Sequence, residues 1–141
     1  MVYYSKVSYP LLGFIFLVFF GPIVPTILSN GLTKPIVLTI LFLVVLFLLI
    51  VHMFFYTTYT IDKDELKIKC GFIRYKPFKI KDMKKVSKTS NMISSPAASF
   101  DRIEITYGKF DEIIISPKDK HQFVEELQKI NPNLVNNLPT Q

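Results

Sequence analysis

The longest run of apolar residues is the feature that most constrains what this chain can fold into. Residues 36–55 are 20 positions without a formally charged side chain at neutral pH. An α-helix rises about 1.5 Å per residue, so this run matches the hydrocarbon core of a bilayer, which is about 30 Å thick. Strands of that length do not occur in small domains. The sequence therefore predicts a membrane-spanning helix over 36–55.

A second apolar run, residues 11–28, precedes it and has 18 uncharged positions. Gly21, Pro22 and Pro25 lie in its outer half, and proline removes a backbone donor, so we expect a kink or break there. A secretory signal peptide is the alternative interpretation, because Lys6 precedes the run. No small-residue cleavage pattern follows the run, which favours a second membrane-spanning segment.

The loop between the two runs and the distribution of charge predict the topology. Residues 29–35 are few and turn-prone, so the two spans should form an antiparallel hairpin. Lys6 and Lys34 are the only charged side chains before position 56, whereas 15 Lys and Arg follow it. Positively charged segments resist translocation, so we expect a multi-pass protein of the cytoplasmic membrane with both termini on the cytoplasmic side.

After the second run the pattern changes to that of short strands. Residues 66–70 alternate with period two, and residues 72–76 return as a hairpin partner. Residues 102–107 and 112–115 form a second such pair. Ser116 then favours the start of a helix as its N-cap, and apolar residues recur at helical spacing behind it. The order predicts about six or seven short antiparallel strands followed by one amphipathic helix.

Several stretches of this region carry a family resemblance. They read YxIxxDxLxIxxG from Tyr59, SSPAASFDRIEIxYG from Ser94, ISP from Ile115, and Asn131-Pro132 at the end. Over residues 57–134 the chain resembles a family of bacterial pleckstrin-homology-like domains. The resemblance implies a curled antiparallel sheet or barrel capped by a C-terminal helix, preceded by two membrane spans. It implies no reaction.

The expected fold class is therefore a membrane-anchored α+β protein. Its parts are a cytoplasmic N-terminal segment (1–10), a transmembrane helical hairpin (11–56), a pleckstrin-homology-like cytoplasmic domain (57–135) and a flexible tail (136–141). No linker separates the second span from the first strand, so the domain should lie directly beside the membrane.

Motifs of enzymes and of metal sites are absent from the sequence. It contains no phosphate-binding glycine loop, no H-E-x-x-H, no G-x-S-x-G and no paired cysteines. Cys70 has the inward parity of its strand, and His121 lies on a helix surface. His52 is either an interfacial side chain near the end of its span or a titrating group inside the membrane. We predict that the protein is not an enzyme and binds no metal or cofactor.

Basic residues are concentrated in one part of the domain. Residues 63–88 contain ten Lys or Arg against three acidic residues, whereas residues 89–141 contain five against seven. Strand parity predicts six outward basic side chains: Lys67, Lys69, Arg74, Lys76, Lys79 and Lys81. They could form a solvated sheet face, a contact for the anionic inner leaflet or a nucleic-acid surface. Few exposed aromatic residues are interleaved with them, so we predict no nucleic-acid partner.

The segment most typical of the family contains a polar loop. Its notable residues are Ser94, Ser95, Pro96, Asp101 and Arg102. Serine and proline suit tight turns, and aspartate beside arginine can hydrogen-bond to the backbone, so we expect a structural role. A binding loop is the alternative.

These features predict a binding or adaptor module at the inner face of the cytoplasmic membrane. Its partner would be a protein or peptide, anionic lipid, or both. One alternative is an immunity protein that protects the cell against a membrane-active antimicrobial peptide. Another is a small subunit of a larger membrane complex, because the glycines and prolines of the first span suit close helix contacts.

Overall fold

A computed structural model describes residues 1–91 and 99–139, and these ranges contain four α-helices and nine strands. The helices are α1 (Tyr9–Phe20), α2 (Ile23–Asn30), α3 (Lys34–Phe55) and α4 (Lys120–Ile130), with a short 3₁₀ turn at Ile80–Asp82. The strands are β1 (Val2–Tyr4), β2 (Thr57–Asp62), β3 (Glu65–Cys70), β4 (Ile73–Arg74), β5 (Phe78–Lys79), β6 (Met83–Thr89), β7 (Arg102–Tyr107), β8 (Asp111–Ile115) and β9 (Val135–Asn137).

The helices α1, α2 and α3 form an apolar hairpin. Its two arms, Tyr9–Asn30 and Lys34–Phe55, are each long and apolar enough to cross a membrane. The first arm is interrupted at Gly21 and Pro22, in the half where the sequence predicts a kink. Phe47 of α3 packs against phenylalanine rings of α1 at centroid distances of 5.6 to 6.5 Å. No residue of these three helices is buried within the chain, so the outer surface of the hairpin is apolar.

The strands form two sheets. The first has the order β1-β2-β3-β4, with β5 also paired to β3, and the second has the order β8-β7-β6-β9. In the described residues the two sheets do not close into a barrel. Of the two forms expected from the sequence, a curled sheet or a barrel, the barrel is therefore wrong. Pro77 interrupts the pairing beside β3, so β4 and β5 have two residues each and this edge is too short to continue into the second sheet.

One hydrophobic core lies between the sheets and α4. Along β3 buried apolar side chains alternate with exposed basic ones, because successive side chains of a strand point to opposite faces. Phe123, Val124 and Leu127 on one face of α4 are fully buried and cover an open end of the core. The structure thus has the expected antiparallel sheet domain with a C-terminal helix.

The N-terminal residues belong to this domain, which the sequence analysis does not predict. β1 pairs with β2, with Tyr3 opposite Tyr59, and Ile61 donates its backbone N–H to the Met1 carbonyl at 2.8 Å. The Tyr3 ring packs edge-on against Phe123 of α4, with the ring centroids 5.2 Å apart. The chain therefore enters and leaves the apolar hairpin through adjacent strands of one sheet.

A buried hydroxyl network fixes β1 and the end of β8 together. The Tyr59 hydroxyl donates to Ser5 Oγ at 3.3 Å and accepts from the Ser116 N–H at 3.1 Å. Burial raises the pKa of Tyr59, and its hydrogen bonds to Ser116 and Ser5 oppose that shift. Ser116 is thus a network residue and not the predicted N-cap. Asp119 caps α4 instead, where it accepts the Gln122 N–H at 3.2 Å.

The C-terminal end of the domain also differs from the prediction. Residues 136–141 were expected to be a flexible tail, but β9 extends to Asn137 and pairs in parallel with β6. The Asn131 side chain ends α4 and donates to the carbonyls of Ile80 and Met83 at 2.9 and 2.8 Å. These bonds return the chain toward β6 and allow the last strand to form.

Candidate functional site

The apolar hairpin and the first sheet are joined by a single residue. α3 ends at Phe55, β2 begins at Thr57, and Tyr56 alone separates them. The Thr57 hydroxyl donates to the Met53 carbonyl at 2.6 Å, and the Gly71 N–H donates to the Tyr56 carbonyl at 3.1 Å. The last turn of α3 is therefore bonded to β2, and Tyr56, the residue after the helix, is bonded to the residue that follows β3.

The turn between β3 and β4 packs against that last helical turn. Gly71 has a φ of +56°, and a Cβ atom at this position would lie 3.0 Å from Met53 Cγ. The next ring, Phe72, stacks on His52 with the centroids 4.4 Å apart, and His52 stacks on Tyr56 at the same distance. Phe72 is nevertheless 73% exposed. Sequence reasoning did not select Phe72, and its one available signal was an aromatic residue directly after a turn glycine.

A basic hollow lies on the outer face of β2, β3 and β4, next to this turn. It has a volume of about 320 Å³ and is lined by Thr58, Thr60, Lys67, Ile68, Lys69, Arg74, Tyr75 and Pro77. Lys69 is paired with Thr58 on one side and with Arg74 on the other, and Lys67 is paired with Thr60. Opposed residues of an antiparallel pair share a face, so this register gathers three cations around two hydroxyls.

The cations of the basic hollow differ in how far they are neutralised. Lys67 Nζ lies 2.6 Å from Asp62 Oδ2. The hydrogen bond and charge of Lys67 lower the pKa of Asp62, and Asp62 raises the pKa of Lys67 in the same way. In the described part of the chain, Lys69 and Arg74 have no acidic side chain within 4.0 Å. Two unpaired cations beside hydroxyl groups suit a ligand with several anionic oxygens, such as a phosphate group.

The other three basic residues singled out from the sequence lie apart from the basic hollow. Lys76 is exposed in the connection between β4 and β5. Lys79 is paired with Glu65, and Lys81 Nζ lies 3.7 Å from Asp64 Oδ2. Lys79 thus faces an acidic residue and Lys81 is paired with one, both at the end of β3 that is remote from α3. The structure therefore gathers three of the six residues and separates the rest.

The polar loop of the family segment lies partly outside the described residues. Ser94, Ser95 and Pro96 fall in the range that is not described. Arg102 is buried, and it donates from Nε to the Ser99 carbonyl and from Nη1 to the Asn91 carbonyl, the latter at 3.1 Å. Arg102 thereby ties together the two chain segments that flank the loop.

Asp101 joins the N-terminal segment to α4. Its carboxylate accepts from Lys6 Nζ at 3.0 Å and also from Lys120 Nζ. Burial by itself would raise the pKa of Asp101, but the hydrogen bonds to Lys120 and Lys6 outweigh it and hold the pKa below its usual value. The contacts of Asp101 thus connect parts of the fold rather than line a cavity.

Other parts of the described chain offer less for ligand chemistry. In residues 1–91 and 99–139 no three His, Cys, Asp or Glu side chains come together as a metal site. Cys70 is buried, with its Sγ 3.3 Å from the Thr57 hydroxyl oxygen. A hollow of about 540 Å³ between β1 and the start of α4 is lined by Lys118 next to the carboxylate of Asp119, and by Met1, whose ammonium donates to the Ile61 carbonyl. The basic hollow is therefore the candidate site.

A comparison with protein families gives this architecture a context. The family described as the bacterial PH domain matches residues 57–131, which is more than half of the chain. The chain belongs to the bacterial PH domain family. This confirms the resemblance drawn from the sequence, and pleckstrin-homology-like domains are generally non-catalytic binding modules. No curated protein and no solved structure gives a significant match to this bacterial PH domain.

The family match divides the molecule at a definite point. It begins at β2 and ends at the close of α4, so β1 and the apolar hairpin lie outside it. The basic hollow of the bacterial PH domain is formed entirely by β2, β3 and the segment up to Pro77, within the matched region.

Proposed function

We propose that this bacterial PH domain is a membrane-tethered binding module whose basic hollow holds the phosphate headgroup of an anionic lipid. The observation that carries the proposal is the position of the hollow beside the end of α3. Lys69 and Arg74 are opposed one residue pair before the turn that packs on α3. If the apolar hairpin spans a bilayer, these two cations lie at the level where headgroups are found.

Distance along the strands explains why only part of the basic face would contact lipid. Lys69 is opposite Thr58 near the start of β2, whereas Lys79 is opposite Glu65, which pairs with Asp62 at the end of β2. At about 3.3 Å per residue, Lys79 lies about 13 Å farther from α3 than Lys69 does. That separation exceeds the Debye length of about 8 Å at physiological ionic strength.

The topology that the proposal requires is two spans with both termini on the cytoplasmic side. Two observations support it: β1 pairs with β2, and nearly all basic residues follow the second arm. A Lys or Arg near an anionic leaflet contributes about 1 kcal/mol. Because the hairpin already tethers the domain, this energy would orient it and select the lipid rather than recruit the protein.

Binding can be tested on the full chain in an uncharged detergent. A ligand that binds only the folded state raises the melting temperature, by an amount that grows with the logarithm of its concentration once that concentration exceeds Kd. We expect dihexanoyl phosphatidylglycerol to raise it and dihexanoyl phosphatidylcholine to leave it unchanged. Inorganic phosphate forms the third arm, and a shift as large as that of phosphatidylglycerol would mean that the hollow binds free phosphate rather than a lipid.

Matched charge reversals show which residues produce the rise in melting temperature with phosphatidylglycerol. Lys69→Glu with Arg74→Glu should abolish the shift with phosphatidylglycerol. Lys84→Glu with Lys85→Glu changes the net charge equally on the exposed part of β6 and should preserve it. Equal shifts in the two double variants would refute binding in the basic hollow. The immunity and complex-subunit hypotheses stay predictions, because none of these contacts bears on them.

A further inference from the structure

We propose that the tip of the β3–β4 hairpin, formed by Phe72 and Ile73, inserts into the bilayer interface beside α3 as an additional membrane anchor. The inference shares with the proposed function only the membrane position of the apolar hairpin, and it requires no binding of a headgroup. Its occupant is the lipid itself.

The height of Phe72 along α3 carries the inference. Phe72 stacks on His52 at a centroid distance of 4.4 Å and an interplanar angle of 18°. His52 lies three residues before the last helical residue, Phe55. At about 1.5 Å per residue, the ring of Phe72 is level with a point about 4 to 5 Å inside the end of the helix. A bilayer that covers α3 to its end also surrounds this ring.

The exposed surface of the tip is apolar. Phe72 is 73% exposed and Ile73 is 51% exposed, although both adjoin the packed turn at Gly71. Aromatic residues are favoured at the boundary between hydrocarbon and headgroups, and the side chains of Phe55 and Tyr56 are also exposed, at the end of α3. The tip thus continues the apolar surface of the hairpin instead of forming an isolated patch on the domain.

Charges around the tip complement an anionic lipid surface. Arg74 follows the two apolar residues directly and is opposed to Lys69 across the strand pair. No acidic residue occurs between Leu66 and Lys81. When such a tip is inserted, its apolar side chains reach the acyl chains, and the cations one residue behind them stay at the level of the phosphates.

The tip is held in this position by the fold. The Gly71 N–H donates to the Tyr56 carbonyl at 3.1 Å, and the Thr57 hydroxyl donates to the Met53 carbonyl at 2.6 Å. The first bond fixes the turn of the β3–β4 hairpin to the residue that follows α3, and the second fixes β2 to the last turn of α3. The tip therefore cannot turn away from the membrane without loss of the junction between helix and sheet.

Single tryptophans test the inference, because the chain contains no Trp. Phe72→Trp and Ile73→Trp report on the tip. Phe110→Trp is the matched control, since Phe110 is 92% exposed in the β7–β8 turn. The full-length variants are reconstituted in phosphatidylcholine vesicles, with and without phosphatidylglycerol, that carry lipids brominated near the top of the acyl chains.

We expect the brominated lipids to quench tryptophan fluorescence several-fold more strongly at positions 72 and 73 than at position 110. The emission maximum should also lie at shorter wavelength at positions 72 and 73. The difference should persist in pure phosphatidylcholine, so that a failure of headgroup binding leaves this result intact. Equal, weak quenching at all three positions in folded protein would overturn the inference, even if phosphatidylglycerol still raised the melting temperature. Using two tip positions keeps the test decisive if one variant misfolds.

Discussion

At the scale of single residues, Gly71 sets how closely the domain approaches the apolar hairpin. Its φ of +56° is costly for other residues, and a Cβ atom would lie 3.0 Å from Met53 Cγ and 3.2 Å from Met53 Cα. Gly108 has a similar φ of +59°, but a Cβ atom there would meet only the flexible Asp111 side chain, at 3.3 Å. The two glycines separate the cost of the backbone conformation from the cost of the close approach.

We expect Gly108→Ala to lower the stability of the domain by about 1 kcal/mol, through the backbone conformation alone. Gly71→Ala should lower it by roughly a further 1–3 kcal/mol, because the helix backbone at Met53 cannot move aside as a side chain can. Thermal unfolding of the full chain in detergent, followed by circular dichroism, measures both. If the two variants lost equal stability, the close approach to α3 would contribute nothing.

Asp101 makes the stability depend on pH. Its pKa is lower in the folded chain than the usual 3.8, so its contribution is present above that value and is lost as the pH falls through the folded pKa. Asp101→Asn should destabilise the protein by about 1 kcal/mol at neutral pH, since the ion pairs are partly exposed. The wild-type advantage should vanish in acid. Glu112→Gln, at an exposed position of β8, is the control for the loss of one carboxylate charge. A stability gap between wild type and Asp101→Asn that persisted in acid would contradict this account.

At the scale of elements, local pattern predicts the strands and helices but not all of their partners. The alternation over 66–70 predicts both β3 and which of its side chains point outward, and it does so because the period of a strand is a local property. It cannot show that Lys69 faces Arg74 while Lys79 faces Glu65. The register, set by the turn at Gly71 and the break at Pro77, decides which cations share a hollow.

Elements that depend on contacts between distant residues cannot be predicted from the local sequence pattern. β1 has three residues and no alternation long enough to recognise, and its partner β2 lies beyond the whole apolar hairpin. Ser116 has the residue type of an N-cap, but Tyr59 and Ser5 bind it in the core. In both cases a contact between residues far apart in sequence outweighs a local preference.

Tyr59 tests whether β1 is an integral element. Replacing its hydroxyl in Tyr59→Phe leaves the buried Ser116 N–H without that acceptor, which should cost about 1–3 kcal/mol. Tyr4→Phe is the matched control, because Tyr4 is 63% exposed, and we expect it to change stability little. Hydrogen exchange of the β1 amides should also accelerate in Tyr59→Phe. Unchanged exchange there would mean that the hydroxyl network does not hold β1.

At the scale of the whole molecule, the pairing of β1 with β2 links the fold to the membrane topology. The chain begins in the sheet, passes through both arms of the apolar hairpin and returns to the same sheet. If both arms span a membrane, the side that holds β2 and the rest of the domain must also hold β1, and the connection at Gly31 must lie on the other side. This constraint is independent of the positive charge that predicts which side is cytoplasmic.

Single cysteine substitutions of Val2, Phe110 and Asn30 test this constraint. A membrane-impermeant maleimide added to intact cells should divide them into two groups by their accessibility from outside. Val2 and Phe110 are exposed in the sheet domain and Asn30 is exposed at the end of α2, whereas the native Cys70 is buried. We expect Asn30→Cys to be labelled in intact cells, and Val2→Cys and Phe110→Cys only after permeabilisation. If Val2→Cys and Phe110→Cys were labelled from opposite sides, the β1–β2 pairing would be wrong. If both were labelled from outside, the pairing would stand but the expected orientation in the membrane would be wrong.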